Sequence, residues 1–376
     1  MMERVLFFEI LHMEIQMNTI TKWRFSHNVL LLVLLILLGS CTSITGPGYY
    51  SHLIVGQTSI LLHRTPITKL LADKHTPTEL KEKLREVQKM REFAIYELGL
   101  PPTDSFTTYV DTKREFASWV LTATLEFSVH PRIWCFPVGG CASYLNFFEE
   151  ERARLTQRTL ETEKYDVSYR GAAAYSTAGR FSDPVMNTLF QYKDDSHART
   201  IFHEMAHEKL RVKNDTAYNE AFATFVGKTG HHLWVAKKYG QKATEKLAIR
   251  DKRSEEVIEL LHTTRVALRS LYQKNYTDEI MRVEKQKIFD DMKLRYLKLK
   301  EKWNGYAGYD EWFMKNFNNA DIVGEYEYYN LVPFFQKLFA LSGKNFPAFY
   351  ERAERIAKLP KMERYLEIEK ILSEIT

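Results

Sequence analysis

The sequence predicts an α+β fold that is predominantly helical. Two extended segments lie before residue 180, and helical periodicity dominates the chain after it. The chain has 376 residues, of which 45% are hydrophobic and 13% aromatic, so it can bury one large core or two modest ones. The formal net charge of +5 is mild for this length and argues against a nucleic-acid-binding protein.

The first 40 residues are typical of an export signal. Basic residues precede an unbroken apolar run over 29–38, which is too short to span a bilayer comfortably but matches the hydrophobic region of a secretory signal peptide. The tetrapeptide LGSC, ending at Cys41, resembles the lipobox of bacterial lipoproteins, in which cleavage before the cysteine leaves it as the acylated first residue. We therefore predict a signal peptide over 1–40, with Met17 as an alternative start, and a lipid on Cys41. An uncleaved signal anchor is the competing hypothesis.

The predicted anchor implies a location. Thr42 follows the cysteine in place of the aspartate that often retains such proteins in the inner membrane. We therefore expect a protein of the bacterial cell envelope, tethered by its lipid to the outer membrane and facing the periplasm.

The two remaining cysteines are consistent with an exported protein. Cys135 and Cys141 have five residues between them, among which a proline and two glycines favour a tight reversal. In an oxidising compartment this spacing predicts a small-loop disulfide. A metal-binding pair is the weaker alternative, because no second Cys or His pair accompanies it at zinc-finger spacing.

Residues 76–179 predict one helix and two strands. Thr76 and Glu79 have the spacing of a capping box, and an apolar face continues from there to Leu98. The segments 116–129 and 165–179 are extended in character, with β-branched and aromatic residues or turn signals.

A second helix over 196–212 carries two histidines on one face. His203 and His207 are four residues apart, so their Cβ atoms should lie about 5–6 Å apart, which suits two ligands of one Zn²⁺ ion. Glu204 follows the first histidine, where its carboxylate can act as the general base towards a water at the metal. Glu208 is rotated by about 100° from His207 and is expected to face solvent.

A catalytic zinc site needs a third protein ligand, and two residues compete for that role. Asp215 or Thr216 can cap a further helix that runs to Gly230 and brings Glu220 back across the first helix. Asp215 is the rival ligand, but capping would occupy it, so Glu220 is favoured. The bland alternative is a pair of core histidines that only form hydrogen bonds.

The segment 235–303 predicts a helical hairpin. It contains 18 Lys/Arg against 11 Asp/Glu, and Thr277 followed by two acids indicates a new helix start. A solvated helical face explains this charge, and attraction to anionic lipid or wall polymers is the alternative.

The motif His203-Glu204-x-x-His207 followed by Asn219-Glu220-x-Phe222-Ala223 resembles the gluzincin metallopeptidases. More narrowly, the chain is similar to a family of bacterial lipoproteins described as predicted zinc aminopeptidases. The similarity runs from GYYSHLIVGQ through WCFPVGGC and AAAYSTAGRFSDPVMNT to FNNADIVGEYEYYNLVPFF, most of the chain after Cys41.

The resemblance implies a single zincin-like catalytic domain over 41–376, with the 235–303 hairpin as an elaboration. It implies one Zn²⁺ held by His203, His207 and Glu220, Glu204 as the catalytic base, and a peptide or protein substrate. The sequence lacks the G-x-M-E-N motif with which well-studied gluzincin aminopeptidases grip the free amine of the substrate. A peptidase is therefore better supported than an aminopeptidase, and the competing hypothesis is a non-catalytic envelope lipoprotein with a structural zinc site.

Stabilisation of the transition state would need a hydrogen-bond donor besides the metal. Tyr328, in the family-like C-terminal segment, is the candidate, and Tyr175 is its competitor. A packing role is the commoner one for a tyrosine, and the chain contains 21 of them.

Overall fold

The computed structural model describes residues 44–136, 140–174, 177, 181–191 and 196–374. The chain divides into two compact units, Met1–Ser59 and Ile60–Thr376. The predicted signal peptide and Cys41 lie outside the described residues. In the first unit, the described residues include most of helix α1 (Pro47–His63). No helix in the described part of the chain is both long and apolar enough to cross a bilayer.

Helices dominate the second unit, as predicted. They are α2 (Ile67–Ala72), α3 (Thr78–Tyr96), α4 (Glu150–Thr162), α5 (His197–Lys209), α6 (Thr216–Tyr239), α7 (Gln241–Leu271), α8 (Asp278–Lys302), α9 (Asp310–Met314), α10 (Asn319–Tyr329), α11 (Val332–Leu341), α12 (Phe346–Ala357) and α13 (Lys361–Ser373). The strands are β1 (Thr65–Pro66), β2 (Thr108–Val110), β3 (Ser118–Leu125), β4 (Trp134–Phe136), β5 (Gly140–Ala142), β6 (Leu145–Phe147), β7 (Tyr165–Ala172) and β8 (Val185–Met186).

The two strands expected from the sequence are the longest in the described chain, and they pair with each other. Strand β3 runs antiparallel to β7, from the pair Ser118–Ala172 to the pair Leu125–Tyr165, and β6 flanks β3 on its other side. The remaining strands form a small sheet in the order β1-β2-β8 and the hairpin β4-β5. All of them precede α5, so the sheets lie before the histidine helix in the chain, as predicted.

Helix α3 begins one residue later than the capping box requires. Pro77 occupies the cap position with an extended ψ of 140°, and no side chain caps the helix. The carbonyl of Pro77 accepts the first helical hydrogen bond, from Lys81 N, at 3.0 Å. The predicted box of Thr76 and Glu79 is therefore wrong. The reason is that Pro77 itself adopts an extended ψ and serves as the cap, which places Thr76 one residue outside the position that a capping box requires.

Helix α6 extends beyond the predicted end at Gly230, as far as Tyr239. Gly230 and Gly227 are not cap residues but points of close helix approach. A Cβ atom at Gly227 would lie 2.9 Å from the carbonyl oxygen of Arg199 on α5, and one at Gly230 would lie 2.9 Å from the ring of Phe202. The missing side chains allow α5 and α6 to pack with their backbones close together.

The larger hydrophobic core surrounds this helix pair. The apolar face of α5 predicted from the sequence is buried there, and so are Tyr218, Phe222 and Phe225 of α6. Phe222 stacks on Phe349 of α12 with ring centroids 5.9 Å apart. The core thus holds α5 and α6 in one relative position.

The interval 235–303 contains the end of α6 and the long helices α7 and α8, with Thr277 capping α8 by accepting a hydrogen bond from Ile280 N. A second hydrophobic cluster unites them, with Leu260 and Leu268 on α7 and Phe289, Met292 and Tyr296 on α8.

Candidate metal centre

Helices α5 and α6 bring three side chains together at one point. The Nε2 atoms of His203 and His207 lie 3.2 Å apart. Glu220 Oε2 lies 3.4 Å from the former and 3.6 Å from the latter. Within the described residues, these three side chains form the group of His, Cys, Asp and Glu whose donor atoms could share one ion.

The separations fit a tetrahedral zinc ion. Zinc binds imidazole nitrogen and carboxylate oxygen at about 2.0–2.1 Å, so two ligands of a tetrahedral site lie about 3.3–3.4 Å apart. The three observed separations, 3.2, 3.4 and 3.6 Å, bracket that value. Two imidazoles and one carboxylate are also a donor set that zinc takes in catalytic sites, where three protein ligands leave a fourth position open.

The electrostatics of the group favour a cation. Burial raises the pKa of Glu220, but the charge of His207 and the hydrogen bonds of both imidazoles outweigh it, so this pKa lies well below its ordinary value. Burial lowers the pKa of His203 and keeps its imidazole neutral, the form that binds metal. Burial alone would lower the pKa of His207, but the attraction of its charged form to Glu220 and Glu204 outweighs burial, so this pKa is raised.

Glu204 lies beside the group on α5, half-buried. Burial raises its pKa to about 8, with Glu220, Asp183 and Glu208 adding to the shift and His207 opposing it. A cation at the three donor atoms would also oppose it, because a nearby positive charge favours the carboxylate. A carboxyl whose pKa lies near neutrality can both accept and return a proton, as general acid–base chemistry requires.

Two neighbouring acids have other roles. Asp215 caps α6 by accepting a hydrogen bond from Tyr218 N at 3.2 Å, and it pairs with Arg364 and accepts from Tyr365 at 3.1 Å. It is therefore occupied, and the geometry brings Glu220 rather than Asp215 to the histidines. Glu208 does not face solvent as predicted, because it is half-buried and accepts a hydrogen bond from Thr103 Oγ1 at 2.5 Å.

The chain matches the protein family described as "Putative aminopeptidase" over residues 48–368. The chain belongs to this family. No curated protein and no solved structure matches the chain. The matched region contains the three donor residues and Glu204, and membership suggests that the protein is a hydrolase acting on peptides.

The family region also contains residues that support the centre without joining it. Asn219, next to Glu220, accepts a hydrogen bond from Val212 N at 2.7 Å and donates one to Val212 O at 2.8 Å, which fixes the turn between α5 and α6. The sequence motif included this asparagine, but its spacing did not reveal the turn as its partner.

A disulfide joins Cys135 to Cys141 in the β4–β5 hairpin. The hairpin contacts the same turn, because Cys141 N donates a hydrogen bond to Asn214 Oδ1 at 2.8 Å. Of the two tyrosines proposed for the transition state, Tyr175 lies outside the described residues, and so does the side chain of Tyr328, whose backbone belongs to α10.

Proposed function

We propose that the protein is a zinc-dependent metallopeptidase of the bacterial cell envelope that hydrolyses peptide bonds as an aminopeptidase. The observation that carries this proposal is the set of three donor atoms 3.2–3.6 Å apart on α5 and α6, with an acid beside them. Family membership supports the peptidase activity, and the aminopeptidase specificity rests on the family description alone.

His203, His207 and Glu220 would hold the zinc ion. When bound, zinc supplies Lewis-acid polarisation of the peptide carbonyl and makes a neighbouring water easier to deprotonate. Glu204 takes the proton from that water and returns it to the nitrogen of the leaving amine. Asn219 and the cap at Asp215 orient α6, and with it Glu220, relative to α5.

We also propose that a lipid on Cys41 tethers the enzyme to the outer membrane, where it faces the periplasm. The LGSC motif supports the anchor, and the Cys135–Cys141 disulfide is of the kind found in oxidising compartments. Cys41→Ser should move the protein from the membrane fraction to the soluble fraction or leave the precursor uncleaved. Labelling by palmitate that survives this change would refute the anchor.

The function is tested by separating the base from the ligands. Glu204→Gln keeps the side-chain volume and leaves the three donors in place, so zinc content should stay close to one ion per chain while peptide hydrolysis falls by at least about 100-fold. Glu220→Ala should instead lower the zinc content itself, since two imidazoles make an incomplete site.

The same measurements decide between the two hypotheses. A purely structural zinc site has no use for Glu204. If neither Glu204→Gln nor wild type cleaves a peptide library although both contain zinc, the structural-zinc lipoprotein becomes the better account. If both cleave it at the same rate, Glu204 is not the catalytic base. Normal zinc content in Glu220→Ala would show that a residue other than Glu220 supplies the third ligand.

A further inference from the structure

Arg199 lies on α5 one helical turn before His203. Side chains four residues apart on a helix share a face, with Cβ atoms about 5–6 Å apart. Arg199 therefore projects on the same side of α5 as His203 and His207, and it is half-buried there.

Most N–H donors of the Arg199 guanidinium have no acceptor among the described residues. Among the described residues, its side chain makes one hydrogen bond, from Nη2 to the hydroxyl of Tyr329 at 3.5 Å, and it has no carboxylate partner within 4.0 Å. An arginine has five N–H donors. Asp251, an acid whose pKa its charge lowers, is already held by His232 at 2.6 Å and Lys228 at 3.7 Å.

Tyr329 extends this set of donors. It is the last residue of α10, and its half-buried hydroxyl accepts the hydrogen bond from Arg199. In the part of the chain that the structure describes, this hydroxyl donates its own proton to no acceptor. A planar guanidinium with a hydroxyl beside it matches the two oxygens of a carboxylate, with charge-assisted hydrogen bonds on one side.

Arg211 is a second arginine close to the histidines in the chain, four residues after His207. It lies beyond the end of α5 and is exposed, so water and salt screen its charge. Arg199 is the better anion site, because partial burial strengthens its field and Tyr329 orients it.

We propose that Arg199, with Tyr329 beside it, binds a carboxylate of the peptide substrate and makes the site selective for peptides that carry one next to the scissile bond. This inference rests on the proposed function and names its substrate class. The carboxylate is either the C-terminal group of a dipeptide or an acidic side chain flanking the bond. Successive Cα atoms are about 3.8 Å apart, so such a group lies within one or two residue lengths of the metal centre.

The test measures binding without turnover, in zinc-loaded protein that carries Glu204→Gln. Calorimetry compares two pairs of peptides: Leu-Ala with Leu-Ala-amide for the C-terminal group, and Leu-Glu-amide with Leu-Gln-amide for the side chain. We expect one pair to show a preference of about 10- to 100-fold for the charged member, the range of a charge-assisted hydrogen bond. Adding Arg199→Gln should remove that preference, and Arg199→Lys should restore part of it.

Charge-matched controls locate the effect. Arg211→Gln and Arg352→Gln, the latter on the exposed face of α12, each remove one positive charge elsewhere and should leave the preference intact. Equal affinity within both pairs would overturn the proposal. So would a preference that persists in Arg199→Gln, or one that Arg211→Gln abolishes instead.

Turnover separates this inference from the function on which it rests. With the native Glu204, Arg199→Gln should raise KM for the charged peptide and leave kcat and zinc content close to wild type. If zinc-loaded wild type hydrolyses none of the four peptides, nor a wider library, the proposed function fails. If it hydrolyses them and Arg199→Gln leaves the KM ratio of each pair unchanged, only the role of Arg199 fails.

Discussion

The helix pairs α5–α6 and α7–α8 both bury apolar surface between two helices, but they differ in how the helices pack against each other. Helix α6 is buried along most of its length, and α5 meets it where Gly227 has no side chain. Helix α8 buries one stripe and leaves Leu294 and Leu297 more than half exposed. The first pair depends on shape at close range, whereas the second depends on amphipathic periodicity.

Charge follows the same division. The acid at the start of α6, Asp215, is 2% exposed and paired with Arg364, which is 7% exposed. On α8 several exposed ion pairs join residues three or four apart on the helix surface, such as Lys287 with Glu284, although the half-buried Lys285 pairs with Asp166 of β7. The difference teaches that substitutions near the metal centre should be costly and that comparable ones in the hairpin should be tolerated.

The largest effect is expected from Arg364→Met. It would leave the carboxylate of Asp215 buried with its charge uncompensated, which costs about 3–5 kcal/mol of unfolding free energy. Urea denaturation of the zinc-loaded protein measures it. The control is Lys287→Met in the hairpin, whose exposed pair should contribute at most about 1 kcal/mol. Equal losses in the two variants would abolish the distinction between the two regions.

A smaller loss is expected from Gly227→Ala. The added methyl group would lie 3.1 Å from His203 Cβ and 2.9 Å from the Arg199 carbonyl oxygen, so α5 and α6 must move apart. The strain of about 1–3 kcal/mol exceeds the helix-propensity gain of up to about 1 kcal/mol, and zinc affinity should fall because the ligands lie on both helices. Ser270→Leu, on the exposed face of α7, should change stability by less than about 0.5 kcal/mol. Unchanged zinc affinity in Gly227→Ala would show that the close approach is not needed.

The smallest effect concerns the junction between the two pairs, where Asp251 of α7 accepts a hydrogen bond from His232 of α6 at 2.6 Å. Burial raises the pKa of Asp251, but His232 and Lys228 outweigh it and the pKa is lowered. An aspartate with a lowered pKa in the folded state stabilises the protein at pH values above its unfolded-state pKa of about 3.9. This stabilisation is lost as the pH falls through the folded-state pKa.

Asp251→Asn should therefore cost about 1 kcal/mol at pH 6–7, and the difference from wild type should shrink below about pH 4. Thermal unfolding across pH 3–7 measures it. A difference that stays constant, or grows, in acid would show that the charge of Asp251 is not what joins α6 to α7.

Local pattern carried much of the prediction. The strands within 116–129 and 165–179, the start of α5 and the cap of α8 at Thr277 depend on neighbours in the chain, and the structure confirms them. The positions of His203 and His207 on one face follow from helix geometry alone. The errors arose where a local signal had two physical solutions: Thr76 could cap a helix, and Gly230 could end one.

Hydrogen bonds between side chains that are far apart in the sequence could not be predicted from local sequence patterns. The sequence placed Glu208 in solvent because Thr103, its partner, lies 105 residues earlier. It did not single out Arg199, although the four-residue spacing to His203 was visible, because its significance depends on Tyr329, 130 residues away. Asn219 was part of the motif, yet its two bonds to Val212 required the turn to be built.

The sequence by itself determined the donor types and their order along two helices, because side-chain chemistry and helical periodicity are local properties. Only the tertiary structure decided that Glu220 reaches the histidines while Asp215 is held by Arg364, since that choice depends on how closely α5 and α6 pack. The close packing depends in turn on two glycines whose missing side chains matter only when another helix is present. Contacts between distant segments are set by the shape of the whole core, which no short stretch of sequence contains.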